Sequence, residues 1–146
     1  MNVARFGRGL VVAGGLVSAA AVVVTLILIG TPGAQRDARL DAARVRDLRA
    51  IEQAAGAHLL RRKTLPETLE AVPGVDLRRT DPVTGAAYEY RVLGPDLLEL
   101  CAVFATDNAR PLRQVEPWMR RDWPHTAGRV CFERQLDPRS QAQDPD

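Results

Sequence analysis

Residues 88–104, YEYRVLGPDLLELCAVF, decide the fold: two stretches rich in β-forming residues flank Gly94-Pro95-Asp96. A three-residue loop there sets Leu93 opposite Leu97 and carries the register on to Val92 with Leu98, Tyr90 with Leu100 and Tyr88 with Ala102. These pairs are expected to form one apolar face. The other face then holds Arg91 opposite Glu99 and Glu89 opposite Cys101, with the Arg91–Glu99 pair contributing about 0.2–1 kcal/mol. A slip of one residue would exchange the faces, so the hairpin specifies its own register and calls for a cover over its apolar side.

Residues 36–62 supply that cover. Leu40, Val45, Leu48, Ile51, Ala55 and Leu59 recur at helical spacing, and Asp37, Asp41, Arg44, Asp47 and Arg61 are expected on a solvated side. His58, next to the apolar stripe, reads as packed or half exposed and not as a ligand. Thr64-Leu65-Pro66-Glu67 has the spacing of a capping box, which predicts a short helix through Leu69 to Val72 that Pro73-Gly74 ends. Asp81-Pro82-Val83-Thr84-Gly85 predicts a turn in which Asp81 bonds its own backbone and Gly85 takes a positive φ.

Beyond the hairpin, residues 105–128 carry Pro111, Pro117 and Pro124, and no helical or alternating period survives them. Residues 129–133, RVCFE, predict a third strand with Val130 and Phe132 inward and Cys131 outward. Cys101 lies outward in the same register, so Cys101 and Cys131 are expected to meet as a disulfide between neighbouring strands. By chain entropy that closure would contribute about 3–4 kcal/mol. Cys101, His125 and Cys131 offer the competing possibility of three zinc ligands, without the close spacing that usually marks such a site. No catalytic set, resident metal or cofactor is expected: a phosphate-binding glycine loop, H-E-x-x-H and G-x-S-x-G are all missing from the sequence. Trp118, Met119, Trp123 and His125 are the candidates for partner binding, the alternative being that the aromatic and Met side chains fold back to cap the sheet.

Upstream, residues 10–29, LVVAGGLVSAAAVVVTLILI, contain no charge and as a helix would span about 30 Å, the hydrocarbon thickness of a bilayer. This run exceeds a signal-peptide apolar region, and Pro32 disturbs the only candidate cleavage site, so a retained anchor is expected. TPG at 31–33 is expected to interrupt the helix where the membrane ends. The formal charge of +2 comes wholly from Arg5 and Arg8; after Gly30 acids and bases balance. That leaves no basic footprint for nucleic acid. Arginines also crowd the far end of the apolar run, so the positive-inside count does not set orientation. The cysteine pair does: an oxidising compartment places the domain outside the cytoplasm and the N-terminus inside it. The expected organisation is a cytoplasmic tail at 1–9, a transmembrane helix at 10–29, a linker at 30–35, an α+β domain at 36–136 and a disordered tail at 137–146.

The order of parts resembles type IV pilin-like proteins, especially the major pseudopilin of type II secretion. The likeness rests on the apolar N-terminal helix, Asp47-Leu48-x-x-Ile51, Leu65-Pro66, the Asp81-Pro82 and Gly85 turn, and Tyr88-Glu89-Tyr90 leading the hairpin. It implies a helix packed on a small antiparallel sheet and self-association through N-terminal helices in a filament. The chain departs from that family at the leader-peptidase site, where Gly9 precedes Leu10 and Gly14 stands in place of the usual Glu. It departs again in the calcium loop, where Asp107, Glu116 and Asp122 are too widely spaced for a local oxygen cage.

The sequence thus predicts an N-terminal transmembrane helix and an amphipathic helix packed on a three-stranded antiparallel sheet. The expected role is that of a non-enzymatic structural or protein-interaction component of the bacterial envelope, anchored in the inner membrane with a periplasmic domain. Its partners would be the membrane and an envelope protein not named by the sequence. A working pseudopilin and a zinc-binding enzyme or sensor are the alternatives.

Overall fold

A computed structural model describes residues 3–29, 31–74, 76–108 and 116–136. The tail expected to be disordered, 137–146, and the middle of the long loop, 109–115, lie outside the described residues. The chain divides into two compact units, residues 1–35 and 36–146. Its elements are α1 (Val3–Ile29), α2 (Pro32–Arg62), β1 (Glu89–Val92), β2 (Leu97–Phe104), α3 (Pro117–Asp122) and β3 (Gly128–Gln135).

In the first unit, α1 begins ahead of the apolar run and takes in most of the expected tail. Every residue from Gly7 to Thr25 is exposed, with Val11 at 76% and Val17 at 70%, so the helix is greasy on all sides. The segment Gly7–Thr25 is long and apolar enough to cross a membrane. The expected linker is mostly helical: α2 starts at Pro32, where a missing N–H costs nothing, and the Thr31 hydroxyl accepts from the Ala34 N–H at 3.3 Å.

In the second unit the sheet is an antiparallel meander in the order β1-β2-β3. The observed pairs are Glu89 with Cys101, Tyr90 with Leu100, Arg91 with Glu99 and Val92 with Leu98, the register read from the sequence. The three-residue loop is closed by Leu93 and Gly94 N–H groups donating to the Leu97 carbonyl at 2.9 and 3.0 Å. Leu93 and Leu97 do not share the apolar face, because the alternation of the strand puts them with Arg91 and Glu99; Leu93 is 42% exposed. β2 and β3 pair over their full lengths, with Cys101 directly opposite Cys131.

One face of the sheet contributes Leu98, Leu100, Ala102, Phe104 and Phe132 to a core shared with Val45, Leu48, Ile51, Ala55 and Leu59 of α2. Each large side chain fully buried there stabilises the fold by about 1.5–3 kcal/mol. α2 ends at Arg62: the Lys63 N–H makes the last bond of the helix, to the Leu59 carbonyl at 2.8 Å, and the left-handed φ of 62° at Lys63 turns the following chain away. The helix expected after the capping-box spacing does not form: residues 67–72 make overlapping turns, with Ala71 N–H to Thr68 and Val72 N–H to Leu69. The Asp81 turn forms as expected, with Gly85 at φ 71° and its N–H on the Asp81 carbonyl at 2.9 Å. The irregular stretch after β2 does contain a helix, α3, because Pro117 opens it instead of breaking it.

Candidate functional site

Three clusters of polar or reactive side chains stand out in the second unit. The first is built on α2. Asp41 and Arg44, one turn apart, are both buried, contrary to the expected solvated side. Arg44 donates to Asp41 Oδ1 at 2.6 Å and to Asp81 at 2.5 and 3.3 Å. Asp41 in turn accepts from the Ala105 N–H, from the Thr106 N–H at 2.7 Å and from the Thr106 hydroxyl at 2.6 Å. Asp81 also caps its own turn, accepting from the Val83 and Thr84 N–H groups at 2.8 Å each.

Burial alone would raise the Asp81 carboxyl, but the Arg44 guanidinium and the two backbone donors hold it well below the usual carboxylate range. Hydrogen bonds to Asp81 and Asp41, working against burial, raise Arg44. One guanidinium thus ties α2 to the turn at 81–85 and, through Asp41, to the chain leaving β2. Beside it the Tyr88 hydroxyl donates to Asp47 at 2.9 Å, and burial with that bond pushes the phenol up.

The second cluster holds the residues expected to bind a partner. Met119 and Trp123 are each 1% exposed and His125 is 5% exposed, so these three are interior residues that cap the sheet. Trp123 meets Phe132 edge-on at 4.9 Å between ring centroids, and His125 stacks on Phe104 at 3.9 Å. Trp118 is half-buried, under the Arg49 guanidinium at 4.5 Å, with its indole N–H donated to Glu116. Asn108 organises the turn: its amide nitrogen donates to the Trp123 carbonyl at 2.8 Å and lies 2.9 Å from His125 Nδ1, and its oxygen accepts from the His125 N–H. His125 Nε2 is buried without a partner among the described residues. Burial lowers the affinity of this ring for a proton, against the opposing pull of the Trp123 carbonyl, Asp41 and Asp107.

The third cluster lies on the outer face of the sheet. Cys101 and Cys131 are at disulfide-bonding distance, with Cα atoms 4.0 Å apart and a sequence separation of 30. A Glu99 carboxylate oxygen is 3.5 Å from Cys101 Sγ, and Arg129 Nη2 is also at 3.5 Å while holding Glu89 at 2.6 Å. Glu99, Cys101 and Cys131 are the side chains whose ligand atoms converge here. His125 is not with them: it sits on the inner face against Phe104, so the three-ligand set of Cys101, His125 and Cys131 is not assembled. Glu116 and Asp122, two of the three acids in the stretch compared with a calcium loop, are instead engaged by Trp118 and Arg121.

Sequence reasoning located the cysteines and the Asp81 turn and missed Asp41, Arg44 and Asn108. Positions 41 and 44 continue the spacing of Val45, Leu48, Ile51 and Ala55, which places them on the buried side, but their charge reads as surface until Asp81 and Thr106 are in place. The molecule is therefore an α+β protein with an apolar N-terminal helix and a small meander sheet whose cysteines face each other across β2 and β3. No protein family, curated protein or solved structure matches this chain.

Proposed function

We propose that the chain is a single-pass membrane protein of the bacterial envelope. In this reading it is a non-enzymatic, pseudopilin-like structural or protein-interaction component whose α+β domain stands outside the cytoplasm. The observation that carries this reading is the exposure of α1 from Gly7 to Thr25 on every side, which water tolerates poorly and a bilayer satisfies. Apposition of Cys101 and Cys131 supports an oxidising compartment for the domain. With the N-terminus in the cytoplasm, 36–136 would face the periplasm.

The test is alkaline extraction of native membranes followed by N-terminal sequencing of the retained protein. A chain that stays with the membrane and keeps its residues before Leu10 is the expected result. A soluble protein would overturn the anchor. A mature chain beginning at Leu10 would instead point to leader processing and entry into a secretion filament.

A further inference from the structure

The open edge of β1 is a row of unused peptide groups beside a groove. The Leu93 N–H bond to Leu97 and the antiparallel register fix which groups face β2: residues 89, 91 and 93 exchange bonds with it, so those of Tyr90 and Val92 point away. Tyr88, of the same parity, shows the direction, since its N–H is taken by the Arg79 carbonyl at 2.9 Å. Past Tyr88 that pairing stops. Among the described residues no group bonds the backbone of Tyr90 or Val92.

A groove of about 410 Å³ runs along this edge, lined by Lys63, Leu65, Glu67, Tyr90, Arg91 and Val92. Three consecutive strand residues line it, which the alternation of side chains allows along an edge and not over a face. The Tyr90 hydroxyl donates to the Pro66 carbonyl at 2.8 Å and so fixes the opposite wall to the strand. Leu65 is buried, Val92 is 38% exposed, and Lys63 is exposed, following exposed Arg61 and Arg62 at the end of α2.

We propose that this edge takes an extended segment of a partner protein as a fourth strand, and that the segment alternates apolar and acidic residues. Backbone pairing with Tyr90 and Val92 would hold it. Its apolar side chains would lie beside Val92 and Tyr90. Arg91 already meets Glu99 at 3.4 Å, so Lys63 and the neighbouring exposed Arg61 and Arg62 supply the positive surplus over Glu67 that favours acids. A second copy of this chain is a poorer occupant. Edge-to-edge pairing with Tyr90 opposite Val92 would set Arg91 of one copy against Arg91 of the other, and like charges facing each other across strands destabilise pairing. The strand's own acid, Glu89, is already held by Arg129 at 2.6 and 2.7 Å.

This site deepens the interaction reading above and depends on it for the existence of a partner, though not on the anchor. The test uses the full chain in detergent micelles and a fluorescent peptide, acetyl-Glu-Val-Asp-Val-Glu-Val-Asp-amide. The expected result is saturable binding that slows amide exchange at Tyr90 and Val92, with a peptide carrying Lys for each acid at least about tenfold weaker. The charge-reversed variant Lys63→Glu with Arg91→Glu should invert that preference, and Val92→Pro should remove binding by deleting an edge donor.

The first variant keeps the test decisive if the second does not fold. No binding, or binding without protection of Tyr90 and Val92, would overturn the site. So would protection that grows with protein concentration in the absence of peptide, which would assign the edge to a second copy. Crosslinking in native membranes reports separately on whether a partner exists: a crosslinked partner with an unprotected edge would overturn this site and leave the interaction reading standing.

Discussion

The two faces of the sheet are held by different physics. The inner face is covered by α2 and α3, and its side chains are buried against Leu48, Ile51 and Trp123. Among the described residues the outer face has no such layer: Val103 is 60% exposed, and cross-strand order comes from the apposed cysteines, Arg91 to Glu99 at 3.4 Å and Arg129 to Glu89. A three-stranded sheet with one wet face has few ways to gain stability there by burial, and the cysteines apposed at disulfide-bonding distance across β2 and β3 stand where packing is missing. The difference implies that the inner face is intolerant of single changes and that the outer face depends on one bond.

The largest expected effect breaks the inner side at its charged corner. Arg44→Ala would leave Asp41 and Asp81 buried without their shared cation, and urea denaturation should show a loss of about 3–5 kcal/mol. Removing both cysteines, Cys101→Ala with Cys131→Ala, should cost about 3–4 kcal/mol by loop-closure entropy, mainly through the unfolded chain. Equal stability of that variant and the parent would show that the outer face needs no staple.

Acid should act chiefly on the buried groups, since Glu89 on the outer face, though held down by Arg129, is exposed and contributes little. His125 has its proton affinity lowered by burial, and a group depressed in the fold contributes stability that is complete above its unfolded pKa and lost as pH falls. Thermal midpoints should therefore decline below about pH 6.5, and His125→Gln should flatten that decline. Asp81 adds a second loss with the same sign at lower pH, below about 4, because Arg44 and the turn donors depress it. Asp47, raised by burial, works in the opposite sense and loses its contribution as pH rises through its folded value. The smallest effect is expected on the outer face, where Arg129→Gln should leave the melting midpoint nearly unchanged despite losing its contacts with Glu89. A large drop would mean that the ion pairs, and not the cysteines, hold that face.

Legibility in the sequence follows the range of the interactions involved. The hairpin register could be read because a period of two and a three-residue loop leave one alignment, and the cysteine pairing followed from it. α2 was readable from its apolar period. Its charged positions were not, since Asp41 and Arg44 look like surface residues until their distant partners Asp81 and Thr106 are in place. Pro117 was read as a breaker although proline also opens helices, which hid α3. Trp118, Met119, Trp123 and His125 share a stretch of sequence but not an environment: three are interior and only Trp118 keeps part of its surface. The groove beside β1 depends on Tyr90 reaching Pro66 across 24 residues, a contact that no local pattern announces.

Thiol trapping in living cells tests the central claim most directly, that an apolar helix displays a domain cross-linked between Cys101 and Cys131 outside the cytoplasm. Cells expressing the full chain are quenched in acid, denatured and treated with a maleimide polymer, with and without prior reduction. The expected result is no mass shift until reduction and a shift of two polymers after it; two polymers on the unreduced protein would contradict the account.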